Sequence, residues 1–177
     1  MDESIQIDMK RHLVILFLNL FILSMVHAQS TSEDQRAINM LRSFYVSYDS
    51  AWVCIENPES LRDRLLYLQQ NDCSASLQRV VNGYYTTHGL NHDLFLDDTL
   101  TDLKTFVSTL TVIKDTTRAN SYIVSFSSNV NDPGDTGQRQ IALRVGMVNE
   151  NNHLKINRVD VYFNRHKQDP GLLNSVI

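Results

Sequence analysis

The spacing of apolar residues changes twice along this chain, and each change marks a different kind of element. Leu13 to Val26 is a short apolar run containing Asn19. From Ser32 onward the apolar positions recur every three and four residues, at Ala37, Ile38, Leu41, Phe44, Tyr45, Tyr48 and Trp52. That period predicts one long amphipathic helix ending before Asn57, opened by a capping box of Ser32 with Gln35. Its apolar stripe is unusually aromatic. Asn57-Pro58 reads as an N-cap followed by proline at the first helical position, where a missing N–H costs nothing. Leu61, Leu65 and Leu68 carry the apolar face of a second helix, with Arg62, Asp63 and Arg64 on its wet side and Asn71-Asp72 as its stop. A short third helix runs from Ser74 or Ser76 through Leu77, Val80 and Val81 toward Gly83 or Tyr84.

From about residue 105 the pattern turns to β. Segments 105–113, 121–128, 139–149 and 153–163 are rich in Val, Ile, Thr and Phe. They are separated by turn chemistry at Asp115 to Asn120, Asn131 to Gly137, and Glu150-Asn151-Asn152. Connections this short force neighbouring strands to run antiparallel, so the expected sheet is a four-stranded meander. Period two in Tyr122, Val124, Phe126 and in Ile141, Leu143, Val145, Met147 predicts one face packed on the helices. In the last segment Leu154 and Ile156 share one parity while Val159, Val161 and Phe163 share the other. A bulge near Asn157-Arg158 reconciles the two. Residues 167–177 carry no period and read as a loose tail.

The run Leu13 to Val26 follows Met9-Lys10-Arg11-His12 and precedes His27-Ala28-Gln29, the layout of a cleavable secretory signal with Val26 and Ala28 where the peptidase needs compact side chains. It falls short of the roughly 20 apolar residues that span a bilayer, so cleavage after Ala28 is expected, with no membrane association afterwards. Acidic Asp2, Glu3 and Asp8 fit poorly in an n-region, which points to Met9 as the start. Gln29, not a cysteine, follows the cleavage point, which argues against a lipid anchor. The expected organisation is a signal peptide over 1–28, a single α+β domain over 29–166 and a tail over 167–177, in a periplasmic or secreted protein.

With 16 Lys and Arg against 20 Asp and Glu, the 177-residue chain carries a formal charge of −4 and no basic run. Nucleic acid and anionic membranes are therefore poor partners. The two cysteines, Cys54 and Cys73, permit one intramolecular pairing, which in an oxidising compartment would close a loop worth roughly 3 kcal/mol in the chain-entropy model. Two buried free thiols are the other reading, and export favours the disulfide.

Helices first and a long, bent antiparallel sheet afterwards resemble the cystatin-like cone of the nuclear-transport-factor-like superfamily. More narrowly, the export signal, Phe44-Tyr45 and Tyr48 on the opening helix, the stretch Asp93-Leu94-Phe95-Leu96-Asp97-Asp98, and the closing strand from Leu154 to Val161 look like the exported bacterial family of unknown function numbered 3828. The resemblance covers about residues 36–163. Leu94 departs from the proline that follows the first aspartate of that family's motif. The resemblance implies a curled sheet around a helix with an apolar pocket, and it implies no activity.

Candidate chemistry gathers at His88, His92, Asp93, Asp97, Asp98 and Asp102. Helical spacing would put His88 and His92 on one face as metal ligands, but Gly89 and Asn91 argue against a helix there, so no metal site or cofactor is expected. Asp93 reads first as a cap on the turn Leu94 to Asp97, and His92 or Asp93 as a general base is the catalytic alternative. Tyr45, Tyr48, Trp52, Tyr84 and Tyr85 are candidates to line a pocket, against the plainer reading of an aromatic core. Asp132 to Gly137 lacks the ligand spacing of a calcium loop, and no nucleophile elbow or phosphate loop is present. Arg139, Arg144, Arg158 and Arg165 lie on or beside strands and could form a cationic sheet face, against the stronger, plainer reading of a solvated strand face. The expectation is a non-catalytic binding module for a small apolar ligand or a protein partner, monomeric or homodimeric, with a small pocket enzyme as the alternative.

Overall fold

The computed structural model describes residues 32–88, 93–96, 102–129 and 138–164. The leader, His92, Asp97, Asp98, the Asp132 to Gly137 loop, Arg165 and the C-terminal tail lie outside the described residues. The chain divides into two units, Met1–Arg36 and Ala37–Ile177. Helix α1 covers 32–54. It is followed by α2 (Pro58–Asp72), α3 (Ala75–His88), α4 (Leu103–Thr109) and the strands β1 (Thr111–Lys114), β2 (Ser121–Asn129), β3 (Gln138–Glu150) and β4 (His153–Asn164). The strands form an antiparallel meander in the order β1-β2-β3-β4, curled but not closed. No helix among the described residues is long and apolar enough to cross a membrane.

The helical stripe of α1 is the centre of the core: Ala37, Leu41, Phe44, Tyr45, Tyr48 and Ala51 are buried. Against them pack Leu61, Leu65 and Leu68 of α2 and Leu77 and Val81 of α3, together with the predicted sheet face of Tyr122, Val124, Phe126, Ile141, Leu143, Val145 and Met147. Asn57 caps α2 as expected, its Oδ1 accepting from the N–H groups of Glu59 and Ser60 at 3.0 Å each.

The α2–α3 junction is stitched to the β3–β4 hairpin. Ser74 begins the third helix, its hydroxyl accepting from Leu77 N–H at 3.2 Å. The hydroxyls of Ser74 and Ser76 both donate to Asn157 Oδ1 at 2.8 Å. Ser74 N–H donates to Ile156 O at 2.8 Å, Ala75 N–H to Glu150 Oε2 at 3.2 Å, and the Lys155 ammonium to Asn71 O. Asn157 is the extra residue of a bulge, since Gly146 pairs Arg158 while Met147 pairs Ile156. The bulge read from the parity change therefore also supplies the acceptor that holds the helical pair. A second irregularity, with Leu143 opposite Val161 and Ala142 opposite Phe163, makes Tyr162 an extra residue.

Three expectations are corrected. The segment 105–113 is not one strand: Asp102 caps a helix by accepting from Thr105 N–H at 2.9 Å, Thr109 bonds back to Thr105 O at 2.8 Å, and Phe106 packs on Phe126 at 4.8 Å between ring centroids. Capping and ring packing override the β preference of its Thr and Val residues, and the strand begins only at Thr111. The third helix runs past Gly83 and Tyr84 to His88, because a glycine inside a helix weakens it without stopping it. The Cys54–Cys73 disulfide is not formed. Cys54 is exposed, with Ser50 Oγ 3.9 Å from its sulfur, whereas Cys73 is buried where it bridges to Ile156.

Candidate functional site

Three of the buried polar side chains come from α1, α2 and the turn over 93–96: Asp49, Gln69 and Asp93. Asp93 opens the turn, its Oδ1 accepting from Phe95 N–H at 2.7 Å and Leu96 N–H at 2.8 Å. This is the capping role read from sequence, and it is what lets Phe95 point into the core. The Phe95 ring meets Phe44 at 5.3 Å and Tyr48 at 5.0 Å between centroids. Burial pushes the Asp93 carboxyl up to about 6; the Leu96 N–H, the Tyr48 hydroxyl, the Phe95 N–H and the Trp52 N–H stabilise its charge and limit the rise.

Asp49 sits on the same face of α1 and is fully buried, and neither of its oxygens has a hydrogen-bond partner among the described residues. Burial, then the negative charges of Asp102 and Asp93, push its carboxyl up to about 7. Both acids are thus raised toward neutrality, by burial first. Tyr48 reaches on to α3, its hydroxyl 3.0 Å from that of Tyr85. Tyr45 and Tyr48 have phenols raised well above the ordinary value, by burial first. The Cys73 thiol is likewise pushed up by burial, which makes it a poor nucleophile.

Tyr85 links this buried chain to an open cleft of about 340 Å³ between α2 and α3. The cleft is lined by Arg62, Leu65, Leu66 and Gln69 on one side and by Asn82, Tyr85 and Thr86 on the other. The spacings 62, 65, 66, 69 and 82, 85, 86 are single helix faces turned toward each other. Gln69 is 2 % exposed, and its Nε2 has no hydrogen-bond partner among the described residues. Its amide lies close enough to lower the Tyr85 phenol, yet outside hydrogen-bond geometry.

The aromatic residues singled out from sequence separate. Tyr45 and Tyr48 are core, Trp52 is half-buried beside Asp93, and Tyr84 is half-buried with its ring 6.4 Å from that of Tyr85. Of the five, Tyr85 is the one that lines the cleft. His88 ends α3, and Asp102 serves as the cap of α4. Two of the four strand arginines are engaged by acids: Arg144 Nε meets Asp115 Oδ2 at 2.7 Å and Arg158 Nε meets Asp160 at 2.8 Å. Among the described residues no group of three or more His, Cys, Asp or Glu side chains is arranged to hold a metal ion.

Asp49 and Gln69 escaped the sequence reading. Each is a polar residue on an apolar helical stripe, one after Tyr48 and one after Leu68, and that break in pattern is the signal that marks them.

No family model matches the chain, and no curated protein matches it. Among solved structures, a protein of unknown function from Bacteroides thetaiotaomicron is similar at a TM-score of 0.57 and 20% identity, covering 75% of this chain and 94% of that one. The two share a fold. The likeness brings no activity with it.

Proposed function

We propose that this chain is an exported, non-catalytic binding module that takes a small ligand in the α2–α3 cleft. The observation that carries the reading is the cleft itself, in which Leu65 and Leu66 offer apolar surface beneath a set of polar groups from two facing helices. Its volume lies at the small end of the roughly 300–1,000 Å³ spanned by ligand pockets. The carboxylate most suspected of chemistry, Asp93, does not line the cleft and commits one oxygen to the turn it caps. Export rests on the leader from Met9 to Gln29. Kinship with the family numbered 3828, and with the cone-shaped superfamily, rests on the order of elements and on Phe44-Tyr45, Tyr48 and the Asp93 to Asp98 stretch.

Fractionation of producing cells with N-terminal sequencing tests the address: a periplasmic or secreted chain beginning at Gln29 is expected, and an intact leader in the cytosol refutes it. A small-molecule screen read by amide chemical shifts tests the site. Hits should move Leu66, Asn82 and Thr86, and hits that leave all three unmoved overturn the reading.

One observation favours the pocket-enzyme alternative: Asp93 titrates at about 6 and connects through Tyr48 to Tyr85 at the cleft. Turnover of a cleft ligand that is lost in Asp93→Asn with the fold retained would establish it.

A further inference from the structure

Resting on the cleft reading above, we propose that the α2–α3 cleft selects small monocarboxylates carrying an apolar chain. Three of its lining side chains can donate: the Arg62 guanidinium and the Gln69 and Asn82 amides. The Tyr85 hydroxyl spends its proton on Tyr48, 3.0 Å away, whose own proton is turned to Asp93. Among the described residues no aspartate or glutamate lines it. The Thr86 hydroxyl spends its proton on Asn82 O at 2.8 Å within its own helix. The cleft is therefore rich in donors and carries a single formal charge, which is positive.

Two of these donors decide the preference, one buried and one charged. Gln69 is buried and lines the cleft, and among the described residues its Nε2 has no acceptor within hydrogen-bond geometry. A buried amide N–H without an acceptor is costly to maintain, so an acceptor arriving from the cleft relieves it. Arg62 is exposed at the rim and has no ion pair among the described residues. A carboxylate accepts several hydrogen bonds at once and gains most from a guanidinium partner. Leu65, 1 % exposed, and the half-buried Leu66 supply the surface for an apolar chain. A cationic or purely apolar ligand leaves the Gln69 donor unmet, and a cation also meets Arg62 as a like charge.

The test uses the full chain with octanoate, octanol and octylammonium as probes, read by isothermal titration and by side-chain amide shifts. Octanoate should bind with shifts at the Gln69 and Asn82 amides, and octanol should bind roughly ten-fold more weakly, the usual loss when a hydrogen bond to a charged group goes. Arg62 is exposed, so Arg62→Gln leaves the fold intact and should erase that difference. Arg62→Glu should turn the preference toward octylammonium. If octanol matches octanoate, or octylammonium exceeds it, with shifts still in the cleft, the carboxylate selectivity is wrong while the cleft remains a binding site. If none of the three probes moves the cleft resonances, both readings fall.

Discussion

Replacing Asp49 by asparagine should stabilise this protein at alkaline pH and leave it nearly unchanged in acid. The native carboxyl titrates at about 7 against an ordinary 3.8, so between those values the folded chain holds a proton that the unfolded chain has released. Stability contributed by such a group is present in full below 3.8 and is lost as pH rises through 7. Each tenfold step in acidity constant is 1.36 kcal/mol, which makes the loss roughly 4 kcal/mol by pH 8. Among the described residues neither oxygen of Asp49 has a hydrogen bond to forfeit, and asparagine matches its shape. Asp49→Asn should therefore recover about 2–4 kcal/mol at pH 8, the lower value allowing for relaxation around the charge. With a urea m-value of about 2 kcal/mol/M, the unfolding midpoint should rise by roughly 1–2 M at pH 8 and barely move at pH 4. The single tryptophan, Trp52, reports unfolding by fluorescence. A wild-type stability that climbs from pH 4 to pH 8, or a variant no more stable than wild type at pH 8, would refute the reasoning.

The free thiols make a direct test of the covalent structure: iodoacetamide should label the folded chain once, at Cys54, and add a second label at Cys73 only in denaturant, whereas a disulfide would block both. Gly83 is exposed within α3, with nothing within 4 Å of where a Cβ would stand, so Gly83→Ala should stabilise by about 0.5–1 kcal/mol in urea unfolding; a loss would show a backbone requirement that the helix does not display. Asn157→Ala removes the acceptor shared by the Ser74 and Ser76 hydroxyls and should cost about 1–3 kcal/mol, with faster amide exchange at Ser74 and Leu77; unchanged exchange would mean that the bulge does not hold the helical junction.

How far the sequence reaches can be followed element by element. The stripe from Ala37 to Trp52, the Asn57-Pro58 start, the alternation in β2 and β3 and the parity break at Asn157 are local patterns. Each reflects a period or a cap that the backbone imposes within a few residues, so each was legible. The 105–113 stretch misled for the opposite reason: its β-branched residues favour a strand, while the Asp102 cap and the Phe106–Phe126 contact, the latter 20 residues apart in sequence, decide for a helix up to Thr109.

The candidate site lay further from reach. Tyr85 is distinguishable from Tyr84 only once α3 is set against α2, and Asp49 and Gln69 acquire their character from what surrounds them. Sequence alone determined the class of the fold, the meander and the capping role of Asp93, because these follow from short-range sterics and hydrogen bonding. Tertiary structure alone decided which thiol is buried, which tyrosine faces a cleft and which carboxylates are kept from water. Burial, orientation and pKa depend on groups brought together from distant parts of the chain, and no local period encodes them.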